Sequence, residues 1–543
     1  MGERSTPSSV DIRRFPWIRK LAADYTFHFD AVAPFFAGNP GDRRHWADAL
    51  ARVQARRSNR DGIAGVLRRQ LARRGAPARA LDAVDRLASE KSVAVVTGQQ
   101  AGLFGGPLFT LLKAITAMKL AAELEREHHV DAVPVFWVEA EDHDWNEVRS
   151  CTVFDESLAP KTVSLPSSAS DAVPVSRIHL DQSIVGALDA LEAILPPTEF
   201  RASLMTDLRA AYAPGAGMAD AFATWLERVL GSHGLVVFDA SDPAAKPLAS
   251  AVFARELGRP GETVKEAARA GSALASRGYH VQAQTEDGAV ALFRLDDTRR
   301  PLRREDGRFV AGGESFDAAA LAEEALARPG GFSPNVLLRP IVQDTLFPTF
   351  SYVAGPNELA YLGQLRGVYE LFDVPMPLIY PRASATLLDS AAIRFLQKYQ
   401  VPLDSLQPQD EAGLNALLRA HIPPAIEESF AAADRTIAES LTRVAETLPA
   451  LDPTLEGAAR STLGRMQHDL ETLRAKTIQA AKRRDETLRR QYMRTRALAF
   501  PDGHPQERAI GFVSFLNQYG PALVDRLVEE LPLDLGYHWI ASI

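Results

Sequence analysis

The sequence has a single cysteine, Cys151, among its 543 residues. One cysteine excludes an intrachain disulfide and a metal site built from several cysteines, and it gives no sign of an oxidising compartment. No window reaches the roughly 18 uninterrupted apolar residues of a membrane span, and residues 1–17 are polar with scattered arginines, unlike a secretion signal. We therefore expect a cytoplasmic protein without a membrane segment.

An excess of positive charge is also lacking, because the formal net charge is -8 at pH 7. Without a global basic field, a nucleic-acid partner is not expected. A local basic run, Lys482 to Arg490, belongs to a helical pattern that also contains acidic residues, which favours a solvated face. The 46% hydrophobic and 24% charged residues are typical of a globular protein, and the length predicts about two or three domains.

A strand–helix–strand pattern lies between residues 93 and 138. Val93 to Val96 is a short β-branched run typical of a strand buried on both faces, and Val133 to Val138 is a second such run. Between them a glycine-rich turn leads to Pro107, which suits the first position of a helix expected to continue to about Glu127. The pattern predicts a βαβ unit with a right-handed crossover, and hence an α/β fold.

Other segments predict elements around this unit. The first hundred residues are helical in pattern and are expected to cover a sheet. Gly234 to Asp239 is typical of another buried strand, whereas residues 281–293 and 301–310 predict hairpins around Asp287-Gly288 and Asp306-Gly307. Residues 377–384 predict a further strand and loop.

Beyond Pro424 the pattern changes to long helices. Apolar residues recur at spacings of three and four, which is typical of a coiled-coil seam. The seam consists of Ile426, Phe430, Ala433, Ile437, Leu441, Val444 and Leu448, then Leu463, Met466, Leu470 and Leu473. Pro449 and Pro453 interrupt the pattern, so we expect two helices that fold back as an antiparallel hairpin.

The turn from Thr97 to Pro107 is the first candidate binding element. Glycines and a helix N-terminus offer backbone N–H groups that suit a phosphate or carboxylate. The spacing fits neither G-x-G-x-x-G nor a P-loop, so a tight turn without a ligand remains open, but two adjacent glutamines favour binding. The candidates are Thr97, Gly98, Gln99, Gln100, Gly102 and Gly106. Lys113 either reaches back toward this turn or is an ordinary exposed lysine.

An acidic cluster follows the second strand and contains Glu141, Asp142, His143 and Asp144. In open α/β sheets the ligand crevice lies beyond the carboxyl ends of the strands, where this cluster falls. It could orient a substrate amine, act as a general base through His143, or hold Mg²⁺ through carboxylates. A solvated acidic loop is the alternative. No zinc site is predicted, because His143 has no histidine partner at ligand spacing.

The second half of the chain contributes further polar candidates, namely Arg339, Asn357, Glu358, Arg382 and Ser384. Arg382 with Ser384, just after a predicted strand, could bind a carboxylate or phosphate through paired hydrogen bonds. Taken singly, each of these residues fits a surface or turn position equally well.

These motifs together resemble the bacillithiol biosynthesis cysteine-adding enzymes, the BshC family. The resemblance is carried by Val96 to Leu103, Gly106-Pro107-Leu108, Lys113-Ala114-Ile115, Pro134 to Val138, Glu141 to Asp144, Asn335-Val336, Arg339-Pro340, Leu346 to Thr349, Gly355-Pro356, Pro381 to Ser384, Gln506-Glu507-Arg508 and Phe515 to Gly520. It spans nearly the whole chain. The departures are mild, with Ala101 where proline is expected and Gly105 where a hydroxyl or other residue is expected.

The resemblance implies a Rossmann-type parallel-sheet core, distantly similar to class I aminoacyl-tRNA synthetases, with connecting-peptide insertions and a C-terminal antiparallel coiled coil that forms a homodimer. The expected domains are residues 1–150 with N-terminal helices and the first part of the core, 151–330 with core strands and insertions, 331–424 with the second part of the core, 425–495 as the helical hairpin, and 496–543 as a segment packing back on the core.

The activity that the resemblance implies is a ligase that joins L-cysteine to glucosaminyl-malate through an amide bond. Such a bond needs an activated carboxyl, for which ATP with Mg²⁺ is the simplest candidate, and a deprotonated amine. His143, Asp142 and Asp144 are then the expected groups at the amine, and Arg382 would balance developing negative charge. Two alternatives remain: another amino-acid-activating or nucleotidyltransferase-like enzyme, and a coiled-coil scaffold with a vestigial nucleotide domain.

Overall fold

A computed structural model describes residues 8–167, 172–283, 286–420, 424–452, 454–484 and 486–543. The strands of the described residues are β1 Ser8–Asp11, β2 Val93–Gln100, β3 Ala132–Glu139, β4 Ser150–Phe154, β5 Pro160–Ser164, β6 Val236–Asp239, β7 Ala289–Leu295, β8 Arg299–Glu305, β9 Arg308–Ala311, β10 Glu314–Phe316, β11 Phe332–Pro334, β12 Thr349–Ala354, β13 Leu378–Pro381, β14 Ser384–Leu388 and β15 Tyr537–Ser542.

The chain divides into two compact units. The first holds residues 1–387 and nearly all of 506–543, and the second holds residues 388–505. Up to residue 387 the α-helices are α1 Lys20–Phe27, α2 Arg43–Ala55, α3 Arg60–Arg74, α4 Ala78–Leu87, α5 Leu108–His128, α6 Trp145–Val148, α7 Ser183–Ile194, α8 Arg201–Ala211, α9 Met218–Leu230, α10 Lys246–Gly258, α11 Glu262–Ser276, α12 Ala318–Ala327, α13 Arg339–Leu346, α14 Glu358–Leu362 and α15 Arg366–Phe372.

A five-stranded parallel sheet lies at the centre of the first unit, in the order β13-β12-β2-β3-β6. Alternate residues of β2 face opposite sides of the sheet, so Val93 and Val95 join one apolar cluster while Ala94 and Val96 join the other. Because both faces are covered, the strand is apolar throughout its first half. The sheet confirms the predicted parallel core, and its β2–α5–β3 unit confirms the predicted βαβ element.

The bounds of these elements differ slightly from the sequence prediction. Strand β2 extends beyond the predicted Val96 into the predicted turn and ends at Gln100, because Gly98, Gln99 and Gln100 pair with residues 137–139 of β3. Pro107 is the N-cap of α5 rather than its first residue. The glycine-rich turn is therefore confined to residues 101–107, directly after the carboxyl end of β2.

A second, antiparallel sheet has the order β10-β9-β8-β7-β11 and is inserted between β6 and β12. The predicted hairpin at residues 301–310 is confirmed, since β8 and β9 pair around Asp306 and Gly307. The hairpin predicted at residues 281–293 is wrong: β7 begins at Ala289 and pairs with the later strand β8. Residues 284 and 285, in the predicted first arm, lie outside the described residues.

The second unit contains α16 Ser390–Tyr399, α17 Ala412–Ala420, α18 Pro424–Thr447, α19 Leu455–Arg484 and α20 Glu486–Ala499. Gln467 bonds to Asp434 and Arg474 to Glu427, so rising numbers on α19 meet falling numbers on α18. This pairing confirms the antiparallel hairpin. The side chains of residues 481–485, which include much of the basic run, lie outside the described residues.

The chain returns to the first unit with α21 Gln506–Ala509, α22 Phe512–Tyr519 and α23 Ala522–Glu530. The last strand, β15, lies between β1 and β14 in a three-stranded sheet. Among the described helices, none is both long and apolar enough to cross a membrane.

Candidate active site

A cleft of about 340 Å³ opens at the carboxyl ends of β2, β3, β12 and β13. Its lining residues come from these strand ends, from the loops that follow them and from five helices of the same unit. They are Gly98, Gln99, Gln100, Phe109, Lys113, Trp137, Glu139, Asp142, Glu147, Arg339, Tyr352, Gly355, Asn357, Glu358, Tyr361, Arg382 and Arg508.

Lys113 reaches back along α5 to the end of β2. Its side chain is 3% exposed, and its ammonium donates to the carbonyl of Gly98 at 2.9 Å and to Gln99 Oε1 at 3.3 Å. It also forms an ion pair with Glu358. Burial lowers the pKa of Lys113, while the charge of Glu358 acts in the opposite direction. Lys113 is thus a buried group that ties the turn to the β12 side of the cleft.

Glu358, the first residue of α14, gathers several donors. The backbone N–H of Gly355 donates to it at 2.6 Å and the hydroxyl of Tyr352 at 3.0 Å. Burial alone would raise the pKa of Glu358, but Lys113 and these donors outweigh burial and hold it below its ordinary value. The carboxylate is therefore charged and fixed in place.

Arg339 and Glu139 face each other across the cleft floor. The guanidinium lies 3.7 Å from Glu139 Oε2, and it donates to Gln343 at 3.0 Å and to the hydroxyl of Tyr361 at 3.3 Å. The indole N–H of Trp137 also donates to Glu139 at 3.0 Å. Burial nevertheless raises the pKa of Glu139 more than Arg339 lowers it. Glu139 is therefore a carboxylate with enhanced basicity inside the cleft.

Asp142 connects the acidic loop to the glycine-rich turn. Gln100 Nε2 donates to its carboxylate at 2.6 Å, and the backbone N–H of His143 donates at 2.8 Å. Arg299, on β8 of the inserted sheet, lies 3.5 Å from the same carboxylate. The imidazole of His143 lies beside Asp142, with Nδ1 at 3.6 Å, and does not line the cleft.

Arg382 is held by a buried carboxylate. Its two terminal nitrogens donate to Glu507 at 2.5 and 2.9 Å, and both side chains are at most 5% exposed. Ser384 Oγ donates to the same carboxylate at 3.2 Å and lies 2.6 Å from His538 Nδ1. Burial would raise the pKa of Glu507, but the charge of Arg382 holds it below its ordinary value. The charge of Arg382 is therefore already balanced within the protein.

Four backbone amides at the glycine-rich turn already have partners within the protein. Gly102, Gly105, Gly106 and Leu108 donate to carbonyl groups of Gln100, Gly102, Leu103 and Ile510, at 2.8–3.1 Å. An anion at this place would therefore be held by side chains rather than by these four amides. The turn itself needs glycine, since Gly105 and Gly106 have φ of 96° and 76°.

Two family models match the chain. The model of the bacillithiol biosynthesis BshC N-terminal Rossmann-like domain matches residues 9–383, and that of the BshC C-terminal coiled-coil domain matches residues 385–543. The chain belongs to the BshC family.

Relatives support this membership over the full length. A protein of Salinibacter ruber is 34% identical over 96% of both chains, one of Koribacter versatilis is 31% identical over 96% of this chain and 97% of its own, and one of Chlorobaculum tepidum is 32% identical over 94% of both. Each is described as "Putative cysteine ligase BshC". A solved structure from Campylobacter jejuni, described as "putative arginyl t-RNA synthetase", covers 85% of this chain and 97% of its own at 11% identity, but its TM-score of 0.24 is too low to support an argument.

The cleft of this BshC-family chain brings together many of the predicted site residues. Those that line it are Gly98, Gln99, Gln100, Lys113, Asp142, Arg339, Asn357, Glu358 and Arg382. The others lie nearby with different partners. Thr97 donates to the carbonyl of Val353, Asp144 caps α6 through the N–H of Glu147, and Ser384 joins Glu507 and His538.

Glu141 lies apart from the other acidic residues. It is 3% exposed, forms an ion pair with Lys246 and accepts a hydrogen bond from Ser333 at 2.9 Å. Gly102 and Gly106 do not line the cleft. They allow the turn to be tight, because a Cβ on Gly102 would lie only 3.1 Å from the Cα of Gly106. The predicted acidic cluster therefore divides between the cleft, a helix cap and a buried ion pair.

Several cleft residues of this BshC-family chain were not predicted. They are Phe109, Trp137, Glu139, Glu147, Tyr352, Gly355, Tyr361 and Arg508. Two of them could have been found from the sequence, because Glu139 directly follows a predicted buried strand and Arg508 belongs to the Gln506-Glu507-Arg508 block.

Within the described residues, no group of three or more His, Cys, Asp or Glu side chains is arranged to hold a metal ion.

Proposed function

We propose that the chain is a cysteine ligase of bacillithiol biosynthesis, which joins L-cysteine to glucosaminyl-malate through an amide bond. The observation that carries this proposal is the family match, which runs from residue 9 to residue 543 with only residue 384 between the two models. The polar cleft at the end of the parallel sheet supports it, because small polar substrates bind at this place in α/β proteins.

Amide formation joins the carboxyl carbon of cysteine to the sugar nitrogen and releases the group that activated the carboxyl. The attacking amine must lose a proton, so the cleft needs a proton acceptor near a site for an ammonium group. Asp142 and Glu147 line the cleft and suit an ammonium group. Asp144 orders this part of the acidic loop by capping α6.

Two residues are candidates for the proton acceptor. His143 is the candidate from the sequence, and it would act from beside Asp142. Glu139 is the candidate from the geometry, because it lines the cleft and burial raises its pKa above the ordinary value. We favour Glu139, since a general base must come within hydrogen-bond reach of the amine.

The cationic groups of the cleft would stabilise negative charge that develops on the carboxyl oxygen. Arg339 is the best placed of these, because its guanidinium is held between Glu139 and Tyr361. Arg382 is proposed as a second contributor, although its charge is shared with Glu507. Gln99, Gln100 and Lys113 would position the polar ligand at the end of β2.

ATP with Mg²⁺ is the proposed cofactor, and the chemistry it would supply is activation of the cysteine carboxyl. Because no group of three or more His, Cys, Asp or Glu side chains among the described residues is arranged to hold a metal ion, Mg²⁺ would be bound mainly by phosphate oxygens and water. Because four amides at the glycine-rich turn are already bonded, the phosphates would rely mainly on cationic and amide side chains of the cleft.

We further propose that the chain works in the cytoplasm as a homodimer joined by the coiled coil, without nucleic-acid or membrane partners. The only cysteine of the sequence, Cys151, is buried, which fits a protein that does not depend on disulfides. Large apolar side chains on the helical hairpin remain exposed, with Val444 at 44% and Leu473 at 54%. A second copy of the hairpin would cover them.

The test is a reconstitution with the purified full chain, cysteine and glucosaminyl-malate, with and without ATP and Mg²⁺, followed by mass spectrometry. We expect bacillithiol only when ATP is present. Product without any nucleotide would contradict the activation step, and no product under either condition would contradict the ligase. Loss of bacillithiol with accumulation of glucosaminyl-malate in a deletion strain is the matching result in cells.

A further inference from the structure

The cleft holds four cationic side chains, Lys113, Arg339, Arg382 and Arg508. Three of them have a carboxylate within 4 Å: Lys113 pairs with Glu358, Arg339 lies 3.7 Å from Glu139, and Arg382 lies 2.5 Å from Glu507. Arg508 differs, because its guanidinium makes neither a hydrogen bond nor an ion pair within the described residues. It is also exposed, so its charge is available to a ligand.

The position of Arg508 is fixed by its neighbours in α21. Gln506 is buried and bonds to both backbone groups of Leu387, accepting from the N–H at 2.8 Å and donating to the carbonyl at 2.9 Å. Glu507 is buried against Arg382. Two consecutive anchors therefore leave Arg508 as the residue of this helix that points into the cleft.

The ring of Phe109 supports this arrangement. The guanidinium carbons of Arg508 and Arg382 lie 6.0 and 5.5 Å from the centre of that ring. Two guanidinium groups on one ring form a basic part of the cleft, of which only the Arg508 charge lacks a partner among the described residues. An oxyanion that binds here gains a charge-assisted hydrogen bond without breaking an existing ion pair.

The acidic groups of the cleft form a separate cluster. Asp142 is bonded to Gln100, and Glu147 lines the cleft beside them. Glucosaminyl-malate has a matching polarity, with an amine on its sugar and two carboxylates on its malyl group. In cysteine the amine and the carboxylate share one carbon, so cysteine cannot place them in two separate clusters. Of the two substrates that are joined, the cleft polarity therefore favours the malyl group over the cysteine carboxylate as the anion.

We infer that Arg508 is the specificity residue that binds a carboxylate of the malyl group. This inference rests on the proposed function, and it adds the residue that distinguishes glucosaminyl-malate from sugar amines without an acid. It assigns to Arg508, rather than to the internally paired Arg382, the recognition of the substrate anion.

The test compares Arg508→Ala and Arg508→Lys with the wild type, using steady-state kinetics for each substrate. Arg508→Ala is expected to raise the KM for glucosaminyl-malate roughly 10- to 100-fold, as for loss of one charged hydrogen bond, with little change in kcat. Arg508→Lys should be intermediate, because lysine keeps the charge but not the guanidinium fork. Methyl glucosaminide, which lacks the malyl group, should react equally with wild type and Arg508→Ala.

Arg52→Ala is the matched control, since Arg52 is also an exposed arginine but lies on α2 outside the cleft. It should keep the wild-type KM values. An unchanged KM for glucosaminyl-malate in Arg508→Ala would overturn the inference, and so would an increase confined to the KM of cysteine or ATP, which would assign the anion to those substrates instead.

Failure of the proposed function would be recognised separately, because the wild type would then make no product. In that case calorimetric titration with malate alone decides the inference. Binding to the wild type that is lost in Arg508→Ala supports the anion site, and equal binding or none at all overturns it.

Discussion

At the scale of single residues, the cleft is built from charges that neutralise one another inside the protein. Lys113 with Glu358 and Arg382 with Glu507 are buried pairs in which the cation holds the pKa of the carboxylate below its ordinary value, although burial alone would raise it. Removing one member of such a pair leaves an uncompensated buried charge, which costs more than the pair contributes. These residues therefore shape the site, whereas Glu139 and Arg508 are better placed to act on a ligand.

We predict that Glu139→Gln lowers kcat/KM roughly 100-fold or more, as expected for loss of a general base. The wild-type activity should fall as the pH drops through the raised pKa of Glu139, because only the deprotonated carboxylate accepts a proton. The pH profile of kcat/KM for both enzymes measures this, and the acid limb should be absent in the variant.

His143→Ala is the paired variant for that prediction. Because the imidazole does not line the cleft, we expect a decrease in kcat/KM of less than about 10-fold. A loss as large as that expected for Glu139→Gln would instead support His143 as the base.

A second residue-scale prediction concerns His538, which is buried between Ser384 and Thr386. Burial lowers the pKa of His538 from 6.5 to about 4. Below pH 6.5 His538 therefore binds a proton in the unfolded chain but not in the folded chain, so this group lowers the free energy of unfolding as the pH falls toward 4. At about 1.4 kcal/mol for each pKa unit, the reduction reaches about 3 kcal/mol.

Chemical unfolding at pH 7 and pH 4.5 measures this effect. His538→Gln should lose this part of the pH dependence, whereas His504→Gln, which alters an exposed histidine, should keep the wild-type dependence. Equal pH dependence in all three proteins would mean that His538 is not the responsible group.

At the scale of elements, the turn between β2 and α5 is determined by packing as much as by ligand binding. A Cβ on Gly105 would lie 2.3 Å from the ring of Phe512, and its φ of 96° is unfavourable for other residues. We predict that Gly105→Ala lowers the free energy of unfolding by about 1–3 kcal/mol.

Gly186→Ala is the control for the turn. Gly186 lies within α7 and has open space around its Cβ position, so alanine should raise stability by about 0.5–1 kcal/mol. Thermal or chemical unfolding of the two variants compares them directly. A neutral effect of Gly105→Ala would show that the turn can adjust without loss.

The local patterns of the sequence predicted elements well and side-chain partners poorly. The β-branched run at Val93 reflects the burial of one strand, and the three-four spacing after Pro424 reflects the period of one helix. Both are properties of a single element, which sequence periodicity records. The partner of Arg382 is Glu507, 125 residues away, and no periodicity encodes such a contact. For the same reason the sequence grouped Glu141 with Asp142, although the fold separates their side chains.

At the scale of the whole molecule, the two compact units hold different features. All cleft-lining residues lie before residue 388 or after residue 505, within the first unit. The exposed apolar residues of the hairpin, including Met466 at 41% and Leu473 at 54%, belong to the second. Binding chemistry and the proposed self-association are therefore assigned to separate parts of the chain.

We predict that Met466→Glu combined with Leu473→Glu converts the proposed homodimer to a monomer, because charges on a coiled-coil seam cannot be buried against an apolar partner. Light scattering after size-exclusion chromatography measures the mass. Because no residue of the hairpin lines the cleft, kcat/KM per chain should stay within about threefold of the wild type. Glu439→Ala, an exposed charge on α18, is the control and should remain dimeric. A double variant that is still a dimer would move the interface away from this seam, and one that is monomeric but inactive would mean that the cleft depends on the second copy.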